Sequence, residues 1–456
     1  MPTKETIYGW IQHVFNQGIR RPAYPADVVV TQWAKDRFEE FGLENVRLEP
    51  ITVRRWTPNE WSLVATPDGG TARTLECFPA PYSAPVTDLT VELAAYNAAT
   101  PSLVAGKASL YDVNLLTLPA TFFVTQGSVP VPPDPGRIVD PNLTFNAETH
   151  TLPFSLDLLN VMEPSVAAGA VAFIGGLTNY PGDSFEYFVP YDAIDRPIPG
   201  VWIRGSDADW LHQQLLLGSV SVCLNIDSMV EEVESYNLVG ELPGADEEWV
   251  IIGSHHDGPW SSAVEDGSGI SLVLAQAKFW SQVVQAERPH RLVFLLQGGH
   301  LSGGAGLNQF IDAHQAELDN VVLEVHLEHV ARKFEENLAG ELVDAGMCVP
   351  RWWFVSRNPT LENTVKAALN TEKVYRSMLL APNAIGTQPP TDGAFYHTEG
   401  VPIVHHLAAP FYLFDAMDTL DKIDQESLVG ITRATIRIVD STTGVSAAAM
   451  RAGVVA

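Results

Sequence analysis

From about residue 236 onward, short apolar runs alternate with stretches whose apolar positions recur at helical spacing. EEWVIIGS, RLVFLLQ, NVVLEVHLE and GVPIVHHL are runs of strand length. SGISLVLAQAKFWSQVV, GLNQFIDAHQAEL and PTLENTVKAALNTEK have helical periodicity, and DQESLVGITRATIRIVDS predicts a final helix. Strands that are apolar throughout are buried on both faces. Their alternation with amphipathic helices predicts an α/β fold, a mostly parallel (mixed) sheet sandwiched by helices. Residues 1–80 predict two helices and then β-rich stretches. Ile7, Trp10, Ile11, Val14 and Phe15 set the first helix. Residues 26–42 carry the second, with Val29, Trp33, Phe38 and Phe41 as its apolar positions, and VRLEPITVRRW and EWSLVAT follow. From about 81 to 235 the texture changes. Pro and Gly become dense, as in FPAPYSAP and TQGSVPVPPDPGR, and short β-like runs dominate: GKASLYD, GAVAFIGG, PGVWIRG and SVSVCLNI. This predicts a β-rich module over 81–235, inserted into an α/β unit made of 1–80 and 236–456.

Composition narrows the function classes. The chain has 456 residues, 46% of them apolar and only 18% charged, which suits two or three folded domains rather than a disordered chain. A net charge of −28 disfavours nucleic acid and anionic lipid as partners. No apolar run is long enough to span a bilayer. Cys77, Cys223 and Cys348 are odd in number and far apart, and no export signal is visible, so a cytoplasmic location is expected. The expected partner is a peptide or small-molecule substrate; self-association is left open.

Candidate chemistry gathers where the predicted strands end. Ligands of open α/β sheets bind beyond the carboxyl ends of the strands. There the sequence puts Ser254-His255-His256-Asp257, then Gln297-Gly298-Gly299-His300, His326-Leu327-Glu328-His329 and His405-His406. In His255-x-Asp257 the acid can take the imidazole's second N–H and fix its tautomer. Glu265-Asp266-Gly267-Ser268-Gly269 sets two carboxylates at a loop-to-helix junction, as ligands or as acids favoured by the helix dipole. Glu328, on one strand face with His326, is a ligand or half of a buried ion pair. Together His255, Glu265 and Glu328 supply one imidazole and two carboxylates, a set that suits zinc or another divalent ion. His300 is a candidate proton acceptor, since imidazole titrates near working pH, or a structural residue. GGHLSGG lacks the spacing of a nucleophile elbow, and neither HExxH nor a phosphate loop occurs.

The run NLVGELPG, VIIGSHHDG, EDGSG, RLVFLLQGGHLSGGAGLNQF, LEVHLEHVA, TDGAFYHTEGVPI and DTLDKID resembles the co-catalytic zinc aminopeptidases. This is metallopeptidase family twenty-eight, which includes aminopeptidase Y, glutamate carboxypeptidase and the transferrin-receptor relatives. The resemblance covers about 236–440 and, more loosely, 1–80. It implies a phosphorylase/hydrolase-like zinc-exopeptidase architecture, with 81–235 as an inserted protease-associated (PA) domain. It also implies His255 as first metal ligand and Asp257 as the acid that orients it. Glu265 falls where the family has a bridging aspartate, with Asp266 as a rival, and Glu328 falls at the third ligand. The other half departs: His300 and Leu301 stand where the family has two glutamates, and Phe414 where it has a histidine. The resemblance therefore implies one divalent metal, zinc first and manganese or iron otherwise, on His255, Glu265 and Glu328, with His300 beside the activated water. His256, His326, His329, His405 and His406 are further candidates. Tyr396 and Tyr412 border the family's pocket and are expected as a substrate wall or as core. The expected function is metal-dependent hydrolysis of a peptide or small amide. The alternatives are a cyclase-like or ring-opening chemistry, or an inactive pseudo-peptidase acting as a binding module.

Overall fold

The computed structural model describes residues 1–127 and 132–455; residues 128–131 of the Pro-rich TQGSVPVPPDPGR run lie outside the described residues. Four parallel strands form the centre of the sheet, in the order Arg291–Gln297, Trp249–His255, Val321–Leu327, Ile403–Ala408. Each was an apolar run in the sequence, and each is buried along almost its whole length. The reason is visible in how alternate residues divide. Val250, Ile252, Leu292 and Phe294 face the helices Lys4–Phe15, Pro25–Phe41, Gly269–Trp280 and Leu428–Asp440. Ile251, Val293 and Leu295 face the opposite way, onto Leu307, Phe310 and Ile311 of the helix Ala305–Ala313. Successive side chains of a strand point to opposite faces, so a sheet covered on both sides needs apolar residues at every position.

Antiparallel strands extend the sheet on both flanks. On one side Arg351–Val355 pairs with Ile403–Ala408, and Ser377–Leu380 follows. On the other, Val220–Leu242 pairs with Arg291–Gln297. Along nearly its whole length it also forms a ribbon with Glu44–Pro67. VRLEPITVRRW and EWSLVAT, expected as separate stretches, are thus one strand of 24 residues. The register slips between Pro58 and Glu60, a bulge that accommodates a proline without breaking the ribbon.

The segment 81–235 contributes Val86–Ala95, Ala108–Val113, Ala172–Leu177 and Gly200–Arg204, paired side by side. Val86–Ala95 also pairs with Val220–Leu242, so this smaller sheet continues into the large one. Its apolar cluster includes Leu93, Leu110, Ile174 and Ile203, and also Leu63, Ala65 and Leu75 from before residue 81. Conversely, Phe173, Tyr187, Phe188 and Trp202 pack into the main core.

Candidate metal centre and its cavity

His255 is the last residue of its strand, and its ring is fixed from behind: Nδ1 lies 2.9 Å from the backbone oxygen of Asp257. The Asp257 carboxylate, expected to do this, is 3.7 Å from Nδ1. It accepts instead from the backbone N–H groups of His300, at 3.2 Å, and Leu301, at 2.8 Å. Gly299, at φ 71°, allows the turn that presents those two amides. Burial alone would raise the Asp257 pKa, but His255, His300 and His256 outweigh it and hold it down at about 2.

Glu265 sits on the loop that leads into the helix Gly269–Trp280. Asp418 grips that loop, accepting from the amides of Val264 and Glu265, each at 2.8 Å. The fully buried Arg20 donates to the carbonyls of Ser261 and Ser262. Sequence reasoning gave neither a role: Arg20 lies outside the motifs, and Asp418 opens the DTLDKID motif without having been singled out. The Glu265–Asp266 peptide is cis. Asp266 accepts from Ser254 Oγ and from the amides of Gly269, at 2.9 Å, and His329, at 3.3 Å. It braces the loop, and burial raises its pKa to about 7.

The Glu265 carboxylate points into the gap between three histidines. Its Oε1 is 3.5 Å from His255 Nε2 and 3.8 Å from His300 Nε2, and its Oε2 abuts His329 Nε2. The ligand-capable atoms of His255, Glu265 and His300 all lie within 4.8 Å of one another. His300 Nδ1 is 2.9 Å from Asp392 Oδ1, and His329 Nδ1 is 2.8 Å from the Ala408 oxygen. His329 holds its ring there from a left-handed backbone, φ 51°. Glu328, expected beside His255 and Glu265, is grouped by distance with His326 and Asp392.

These atoms fit a divalent cation. His255 Nε2, both carboxylate oxygens of Glu265, His326 Nε2, Glu328 Oε1 and His329 Nε2 are buried and make no hydrogen bond. Leaving such groups unpaired is costly, and a cation between them satisfies nitrogen and oxygen donors together. Burial works to lower the imidazole pKa values, but the carboxylates outweigh it. Asp392 and Glu265 raise His300 to about 10, and Glu265 and Glu328 raise His329 to about 9. Burial works to raise Glu328, whose carboxyl nonetheless stays well below its usual range because His326, His329 and His255 face it.

Glu265, His300, Glu328 and His329 open onto a cavity of about 470 Å³. The rest of its wall is largely apolar, with Leu116, Phe154, Leu159, Tyr191, Trp352 and Phe414 among its members. Four rings form a continuous stack along it. His255 lies 4.1 Å from His300, His300 5.5 Å from Tyr191, and Tyr191 4.9 Å from Phe414. Tyr191 and Phe154 come from the 81–235 segment and had no signal in the sequence beyond being aromatic. Leu301 is wholly buried and Phe414 nearly so.

The remaining candidates lie apart from this cavity. His256 is held by Asp27 Oδ1, at 2.5 Å, and by the Tyr236 oxygen, at 2.9 Å. His405 pairs with Glu324 at 2.5 Å. His406 packs on Trp353, and burial lowers its pKa to about 3. Tyr396 and Tyr412 are fully buried and do not line the cavity; they belong to the core.

Residues 237–439 match Peptidase family M28. No curated protein matches the chain. Several solved structures resemble it over nearly its whole length. A peptidase M28 precursor from Shewanella amazonensis has a TM-score of 0.71 at 19% identity, covering 96% of this chain and 92% of that one. A zinc aminopeptidase from Bacillus subtilis has a TM-score of 0.66 at 15% identity, covering 96% and 94%. An aminopeptidase from Aneurinibacillus sp. strain AM-1 has a TM-score of 0.62 at 19% identity, covering 96% and 93%. At these identities the likeness concerns the fold.

Proposed function

Since residues 237–439 form a domain of peptidase family M28, we propose that this chain is a metal-dependent hydrolase of amide bonds, acting on apolar peptides or small amides. His255, Glu265 and His300 would hold a divalent cation, zinc in the first place. The observation that carries this reading is the convergence of unpartnered, buried ligand atoms at the polar end of an apolar cavity. Bound there, a cation supplies Lewis acidity to a carbonyl oxygen and to a water.

The chain's own residues do the rest. The Asp257 carbonyl and the Asp392 carboxylate take the Nδ1–H groups of His255 and His300, so each ring offers its Nε2 lone pair. His329 donates its Nδ1–H to the Ala408 carbonyl, which turns Nε2 toward Glu265; a cation that takes up the Glu265 charge would lower the His329 pKa and let Nε2 serve as the proton acceptor. The apolar wall excludes water and positions a hydrophobic side chain. The PA-like segment 81–235 supplies part of that wall through Leu116, Phe154 and Tyr191. Among the described residues, the only carboxylates of the lining are Glu265 and Glu328, and both face imidazoles. A substrate's free α-amine therefore has no dedicated anchor among the described residues.

Two measurements test this reading. His255→Ala and His300→Ala should lose the zinc held at His255, Glu265 and His300, and turnover with it. His329→Ala should keep zinc and lose on the order of 10²–10⁴ in kcat, the usual worth of a general base. If His300→Ala keeps its zinc but not its turnover, His300 is the proton acceptor and His329 is not. Leucine anilide and its N-acetyl form should be cleaved with similar kcat/KM. A strict requirement for the free amine would refute the substrate assignment, and hydrolysis that survives chelation would refute the metal.

A further inference from the structure

Beside the cavity, and reaching its wall at Glu328, lies a second group of buried ionisable side chains, none of them among His255, Glu265 and His300. Glu324, His326 and Glu328 follow one another at alternate positions of the strand Val321–Leu327 and its continuation, so their side chains share one face. His326 is the register partner of His405 on the next strand, and the two rings stack 4.6 Å apart. Asp392, at the start of the short helix Gly393–Thr398, closes the group.

His326 Nε2 is 2.9 Å from Glu328 Oε1 and 3.6 Å from Asp392 Oδ2. The three ligand-capable atoms lie within 4.8 Å of one another. Their residues are no more than 3% exposed. Yet neither His326 Nε2 nor Glu328 Oε1 makes a hydrogen bond, because the angles do not serve one. Two carboxylates converge on one imidazole nitrogen.

The far side of the His326 ring is held as a metal-ligating histidine is held. Its Nδ1 lies 3.4 Å from Glu324 Oε1, and the other oxygen of Glu324 is 2.5 Å from His405 Nε2. His405 Nδ1 is in turn 3.2 Å from Thr391 Oγ1. This chain of contacts sets an acceptor oxygen against Nδ1, the arrangement that favours a lone pair on Nε2. His405 Nε2 pairs with Glu324 Oε2, and Glu324 Oε1 faces His326 Nδ1, so both residues stand behind the ring as its supports.

We infer that His326, Glu328 and Asp392 bind a second divalent cation, distinct from the one at His255, Glu265 and His300. One nitrogen and two carboxylates suit zinc or manganese. Asp392 joins the two places: its Oδ1 holds His300 Nδ1 while its Oδ2 faces His326.

Zinc stoichiometry by elemental analysis of the full chain, after equilibration with zinc alone and desalting, tests this. Wild type should carry two equivalents. His326→Ala and His255→Ala should each carry one, and the double variant none, with circular dichroism checking each fold. Glu324→Gln leaves all three ligands in place. It should weaken one of the two zinc affinities by tenfold to a hundredfold in a competition titration and leave the other unchanged. Cobalt titration should give two successive visible bands in wild type and only one in His326→Ala. A single equivalent in wild type, lost in His255→Ala, overturns the second site and leaves the first intact. No bound zinc in wild type overturns both.

Discussion

Around the cavity, four imidazoles share one arrangement. His255, His300, His326 and His329 each set Nδ1 against an oxygen, and each turns Nε2 toward Glu265 or Glu328. The sequence disclosed that histidines and acids gather at strand ends, because strand ends can be read from apolar runs. It did not disclose which oxygen holds which ring. The Asp257 carbonyl rather than its carboxylate does so at His255, and that depends on a loop turning back. A different buried acid gives a prediction at this scale. Burial raises the Asp415 carboxyl to about 7, although the Met417 amide and Ser184 work against the rise. In the unfolded chain the group ionises near its ordinary value, about 3.9. Between those pH values the folded state keeps a proton that the unfolded chain has released, so stability falls as pH rises through that window. Asp415→Asn cannot ionise. Its melting temperature should exceed that of wild type by a margin that grows from pH 4 to pH 7 and then levels off. A margin constant with pH in a melting series would show that the carboxyl is not perturbed by burial.

At the scale of elements, long buried strands and amphipathic helices were legible, and short or interrupted ones were not. RWWFV and SMLL became the strands Arg351–Val355 and Ser377–Leu380 without having been anticipated. Five- and four-residue apolar runs carry too little periodicity to separate strand from core loop. The hairpin Arg332–Glu336 with Leu342–Cys348 is mostly exposed or half-buried, and its second strand opens on two adjacent apolar residues, Leu342 and Val343, so it had no clean strand period. The helix Gly269–Trp280 begins where space is tightest. A Cβ on Gly269 would stand 2.0 Å from Asp266 Oδ2, 2.3 Å from the Leu327 oxygen and 2.4 Å from Ser254 Oγ. Gly269→Ala should therefore cost about 3 kcal/mol in a denaturant titration. Gly9, inside the helix Lys4–Phe15, has nothing within 4 Å of its Cβ position. Gly9→Ala should stabilise by about 0.5–1 kcal/mol. Equal effects of the two substitutions would show that packing at the start of the helix does not limit stability.

At the scale of the molecule, the change in texture near residues 81 and 235 says nothing of the extent of mixing. Composition reports which residues are near in sequence; it cannot report that Phe173 and Trp202 pack into the same core as Val250 and Leu292. Nor does it reveal that the ribbon of Glu44–Pro67 and Val220–Leu242 joins both sheets. With apolar clusters interlocked in this way, the two parts should unfold together. Scanning calorimetry should give one transition whose calorimetric and van't Hoff enthalpies agree. Two resolved peaks would mean that the shared core contributes little.

The aromatic stack that ends in Tyr191 and Phe414 carries a consequence for redesign. Tyr191 leans on Phe414 from a segment that also furnishes core. Transplanting a foreign 81–235 segment to change selectivity would replace part of the foundation along with the panelling. New preferences are more safely installed one side chain at a time, beginning with Phe154 and Leu159, which line the cavity while remaining only partly buried.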